Sequence, residues 1–184
     1  TGTGEQANGE NNTTISVGTQ EDLVGAVQKV KDGNPGLKWT IRLTGNIVLE
    51  GGSPLSKALL VPADKTVTLL GGGHTITYNS DAMSATDSLK LGANGGTLNL
   101  GAQDGTDTLT ITTSNKYDHA NQLIGVFGGM VNMYQGVTLT GNINTSSGAG
   151  GVEIHDGTFN MYGGTISNCL SRFGSGGGVQ KAYD

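Results

Sequence analysis

The residues able to do chemistry in this chain are few, and their spacing limits what they can do. Glycosidic-bond cleavage needs two carboxylates about 5–10 Å apart. In a repeating chain, one aligned position in successive copies would supply them. Here Asp156 aligns with Gly128 and Glu153 with Gly125, so no carboxylate pair forms. Asp104 and Asp107, within DGTD at 104–107, are candidate calcium ligands together with loop carbonyls, against the alternative of a solvated turn. Asp81 and Asp87 form a similar set in a polar loop. His74, His119 and His155 have no ligand partners at a recognisable spacing, and a local hydrogen bond to the turn aspartate beside it accounts for His155. Residues 71–76 (GGGHTI) are not a phosphate loop, because no helix follows the glycines. Arg42 and Arg172 are isolated and read as surface or end-coil charges. The single Cys169 cannot form an internal disulfide. It reads as a small buried hydrophobe, with a reactive thiol or an intermolecular bridge as alternatives. No catalytic, cofactor or metal site is assigned from these residues.

What remains is surface, and a repeat organises it. Residues 124–134 (IGVFGGMVNMY) and 152–162 (VEIHDGTFNMY) match at an offset of 28 residues, with Gly136 matching Gly164. A third copy opens at Gly178-Val179. The offset predicts that Tyr134 and Tyr162 stack one coil apart, and that Asn99, Asn132 and Asn160 align on one outward face. Sugar rings pack on aromatic faces and amides bond hydroxyls, so these five residues are a candidate ligand surface. The alternative is that stacked like residues simply stabilise the array.

The elements that must position them follow from periodicity. Val152, Ile154, Phe159, Met161 and Ile166 alternate with polar residues, as do Val131 and Met133. Period two means strand with one buried face, so all seven are expected to point into the coil. The strands are short and separated by glycine, which excludes a helical repeat. Earlier copies read Thr40-Ile41-Arg42-Leu43, Val67-Thr68-Leu69-Leu70, Thr97-Leu98-Asn99-Leu100 and Thr108-Leu109-Thr110-Ile111. At about 25 residues per coil, residues 39–184 give about six coils. One helix is expected. Thr19 caps a run in which Leu23, Val24, Ala26, Val27 and Val30 share a face, and Gly33-Asn34-Pro35-Gly36 ends it. Laid over the first coil, it would close one end of the stack.

The predicted order is therefore a flexible linker at 1–14, an N-terminal cap with the helix at 15–38, and an all-β solenoid from 39 to 184 that stops inside a repeat. The linker would follow a removed leader or an upstream domain. Glycine, at 33 residues, serves the bends, while charged residues are only 14%. The net charge of −5 argues against a nucleic-acid partner. No apolar run approaches the roughly 20 residues of a membrane span.

The succession of amphipathic helix, TIRLTGNIVL, VTLLGGGHTI and coils of the form GTFNMYGGTISN resembles the right-handed parallel β-helix (pectin-lyase-like) repeats of bacterial cell-surface proteins. The resemblance covers about residues 15–184. It implies a right-handed parallel β-helix and a secreted or cell-surface location, in a family that holds lyases and glycosidases as well as adhesins. With no aligned catalytic set in the residues, the expectation is a non-enzymatic stalk or adhesin contacting host or bacterial glycans or surface proteins. Two alternatives stay open: the non-catalytic part of a polysaccharide lyase or glycoside hydrolase, and a self-assembling structural subunit joined through its uncapped C-terminal coil.

Overall fold

A computed structural model of the chain describes residues 5–7, 12–50, 59–79, 91–114 and 121–182. Asp81, Asp87, His119 and Tyr183 lie outside the described residues. The fold is a parallel β-solenoid of about five turns with one short helix.

The first sheet takes its main rungs from β2 (Asn12–Val17), β3 (Lys38–Leu43), β6 (Thr66–Leu70), β9 (Thr97–Leu100), β11 (Ile124–Met133) and β14 (Val152–Met161). Around them stand β1 (Glu5–Ala7), β5 (Leu59–Pro62), β8 (Leu91–Asn94) and β17 (Val179–Lys181). The second sheet stacks β4 (Ile47–Leu49), β7 (His74–Tyr78), β10 (Leu109–Thr113), β12 (Val137–Thr140) and β15 (Thr165–Ser167). A short third sheet joins β13 (Ile143–Asn144) to β16 (Leu170–Ser171). Among the described residues all strand-to-strand pairings are parallel except β1 with β2, and one isolated antiparallel bridge joins Pro62 to Gly95.

Alternation in sequence becomes columns in space. Ile15, Ile41, Leu69, Leu100 and Met133 form one inward column, rung upon rung, and each is sealed from solvent. Ile47, Ile76, Ile111 and Leu139 form another on the second sheet. Each such side chain contributes about 1.5–3 kcal/mol by leaving water. Register offsets between main rungs are 26, 28, 31, 33 and 28 residues. These lengths exceed the roughly 25 residues expected from repeat statistics, which is why the stack makes about five turns instead of six.

Corners leading from the first large sheet to the second are three residues long at 44–46, 71–73, 134–136 and 162–164, but eight at 101–108. Gly136 and Gly164 turn with φ of +88° and +86°, and a Cβ on Gly136 would sit 2.0 Å from the Asp107 carbonyl oxygen. Only glycine fits there.

The helix α1 (Gln20–Asp32) begins where predicted: the Asp22 amide donates to Thr19 Oγ1 at 3.1 Å, and the Gly18 amide donates to Asp22 Oδ2 at 3.1 Å. It buries Leu23, Ala26, Val27 and Val30 against β2, β4 and β5. It lies over strands of the first coil, as expected, and it also has a role in the chain path. The first rung, β2, precedes the helix, so α1 is the crossover between two parallel rungs, as parallel pairing requires. The outer edge of β2 is taken by β1. Order thus reaches into the segment read as linker, and the first rung lies within the segment read as cap.

Of the seven residues expected inside, Val131, Met133 and Val152 are fully buried, while Ile154, Phe159 and Ile166 are half-buried against the core. Met161 is a correction: it is 48% exposed. Its register is the inward one, but among the described residues no rung stacks on Thr158–Met161, so nothing covers it.

Among the described residues, no helix is long and apolar enough to cross a membrane.

Candidate ligand-contact face

The outward side of β9, β11 and β14 carries the predicted surface. Register places Asn99 beside Asn132 and Asn132 beside Asn160, with Thr68 continuing the line on β6. Asn160 Nδ2 donates to Asn132 Oδ1 at 2.9 Å, Asn132 Nδ2 to Asn99 Oδ1 at 2.9 Å, and Asn99 Nδ2 to Thr68 Oγ1 at 3.3 Å. Each amide therefore spends one donor on its neighbour, and the chain of bonds fixes every side chain in one direction. Asn132, in the middle, is only 8% exposed. Asn99 and Asn160 keep more solvent contact.

Just past this ladder, Tyr134 and Tyr162 stack with ring centres 5.4 Å apart and planes 11° from parallel. Tyr162 is 68% exposed. The five predicted residues are thus brought together on adjacent rungs.

A second stack, absent from the sequence reading, flanks the ladder on its other side. Phe127 and His155 lie 4.7 Å apart between ring centres, at 19°. Their signal was present, because they too are 28 residues apart. His155 Nε2 also lies 3.4 Å from Glu153 Oε1. Between the two stacks the strands shift register at Phe127–Met130, and Gly129 and Gly157 take φ of +75° and +93° in the irregularity. Seven residues separate His155 from Tyr162, at most about 23 Å along an extended strand. The arrangement is two aromatic stacks on successive rungs with the amide ladder between them in sequence.

The acidic candidates sit elsewhere. Asp104 Oδ1 accepts from the Thr106 hydroxyl at 2.7 Å and the Thr106 amide at 3.0 Å, and these bonds hold its carboxyl below the usual range. Asp107 accepts from the Gly71 and Gly72 amides, one on each oxygen, both at 2.8 Å. Asp107 is thus bonded through both oxygens and Asp104 through Oδ1. Among the described residues, no group of three or more His, Cys, Asp or Glu comes together. Cys169 is half-buried, its Sγ donating to the Ser167 carbonyl at 3.3 Å, and burial pushes the thiol up.

Comparison with known proteins finds no matching family model, no similar curated protein and no similar solved structure. The chain is a parallel β-solenoid built on a repeating coil.

Proposed function

We propose that this chain is a non-enzymatic, rigid segment of a secreted or cell-surface protein, a stalk or adhesin that contacts glycans through the outer face of β11 and β14. The observation that carries the reading is the pair of aromatic stacks, Tyr134–Tyr162 and Phe127–His155, bracketing the Asn132–Asn160 amide step. Apolar ring faces pack on sugars and the amides' remaining donors meet hydroxyls. The resemblance of the coils to pectin-lyase-like repeats of bacterial surface proteins supports the location. A ladder bonded through successive rungs supports rigidity.

A glycan array probed with the parent and with Tyr162→Ala tests this. Binding without turnover, weakened in the variant, is the expected result. No binding, or binding that ignores the substitution, defeats the glycan reading. Incubation with pectins, alginates and hyaluronan is expected to leave chain length unchanged, and new unsaturated or reducing ends would make the protein an enzyme instead.

Self-assembly is the second reading. Met161, Tyr162, Leu170, Phe173 and Val179 are all exposed on the last coil, with Phe173 at 76%.

A further inference from the structure

The corner at Gly101–Thr108 is, among the described residues, the single long one leading from the first large sheet to the second, and its extra residues build something. Together with Arg42, Leu70, Gly72 and Gly73 on the preceding coils, it encloses a cleft of about 330 Å³. Insertions in a repeat array fall on one face, often the binding face. The loop is locked before any ligand arrives, by the Asp107 bonds to the Gly71 and Gly72 amides and by the Asp104–Thr106 turn. A preformed wall loses little freedom on binding.

Charge at the cleft runs against that of the whole chain. Arg42 points outward from β3 and is exposed, and among the described residues its guanidinium has no ion pair or hydrogen bond. The nearby carboxylate, Asp107, is largely buried and satisfied on both oxygens. Of the two charged residues that line the cleft, the uncommitted one is therefore positive, in a protein of net charge −5. The remaining lining is suited to a sugar, with hydroxyls from Thr106 and Thr108 and apolar surface from Leu70 and Ala102.

The cleft is also aligned with the tyrosine platform. Arg42 pairs in register with Leu70, and Gly101, Tyr134 and Tyr162 each follow the next members of one inward column. Four rung steps separate Arg42 from Tyr162, about 19 Å at the normal strand spacing.

From this geometry we infer that the Arg42 cleft binds one ring of an acidic sugar, its carboxylate or sulfate on the guanidinium and its hydroxyls on the threonines. A planar guanidinium pairs with either oxyanion through two parallel bonds. The inference rests on the glycan reading for its class of ligand, though not for the site.

The test is a titration of the full chain with glucuronic acid, glucose 6-sulfate and glucose, followed by amide chemical shifts. Both acids are expected to shift Leu70, Ala102 and Thr106, with glucose weaker by about tenfold or more, as loss of a charged hydrogen bond implies. The stronger of the two acids names the anion. Arg42→Gln should remove the preference at unchanged melting temperature, Arg42→Lys should keep part of it, and Tyr162→Ala should leave it intact. Equal binding of glucose, a preference that survives Arg42→Gln, or no shifts at the cleft overturns the inference. Array binding that depends on Tyr162 but ignores charge would sink this inference alone. Acid binding at the cleft with no role for Tyr162 in longer glycans would sink the platform reading alone.

Discussion

Met133 and Met161 hold the same place in consecutive coils, paired rung to rung, yet the first is sealed at 0% exposure and the second is 48% exposed. Residue type, strand position and inward direction are shared. What differs is the neighbour: β14 covers Met133, and among the described residues no strand lies over Met161. In a solenoid, burial is supplied by the adjacent coil, so the same side chain is core or surface according to its place in the stack.

The pair gives a matched stability test. Met133→Ala should destabilise by about 2–5 kcal/mol, the range for emptying a sealed core site. Met161→Ala should change stability by less than about 1 kcal/mol, near the range for surface sites. Chemical denaturation of both variants measures the difference. Equal losses would show that something covers Met161 in solution.

Tyr78 predicts the alkaline limit of the fold. It is fully buried, its hydroxyl donating to the Leu123 carbonyl at 2.9 Å, and burial pushes its phenol far above the usual value. A raised folded value means that this stability is whole below the unfolded value of about 10 and is lost as pH climbs beyond it. Stability should therefore fall above about pH 10, with one of the five tyrosines ionising only as the chain unfolds. Phenolate absorbance followed alongside circular dichroism checks this. Tyr78→Phe should flatten the alkaline fall while losing about 0.5–1.5 kcal/mol at neutral pH for the missing hydrogen bond. A fully reversible tyrosine titration with no loss of structure would contradict the burial.

The exposed apolar end should make the protein associate. Met161, Tyr162, Leu170, Phe173 and Val179 gather there beside the open edge of Thr158–Met161. Pairing strand edges and burying apolar area both favour contact. Sedimentation across a concentration series should show self-association, and the double variant Val179→Glu, Ala182→Lys should reduce it. A strictly monomeric parent would refute the expectation. Association that persists in the double variant would move the contact to the tyrosine and asparagine face.

Local patterning was enough to read the strands, the helix and its caps, because alternation, capping and glycine corners each act within a few residues. Thr19, Leu23 and Gly33 are where the pattern put them. The offset of 28 was enough to stack Tyr134 on Tyr162. It would also have paired Phe127 with His155, had His155 been compared with its repeat mate before its neighbour Asp156. Other features were not local. Alternation gives the direction of Phe159 and Met161 but not what lies above them. That β2 precedes the helix as a first rung depends on Ile15 finding Ile41 across the crossover. The Arg42 cleft depends on Asp107 reaching amides 36 and 35 residues earlier.

The long corner at 101–108 has a wider consequence. Five extra residues enter there, yet Leu100 still meets Met133 and Asn99 still meets Asn132. Lengthening a turn is cheap in chain entropy, about 0.6 kcal/mol for each doubling, whereas a one-residue slip within a strand would reverse every inward side chain. The molecule therefore has two separately editable parts. The strands act as a fixed frame, and the corners carry relief that can be redrawn one coil at a time. Shortening 101–108 to three residues should erase the cleft and leave the columns of the frame in place.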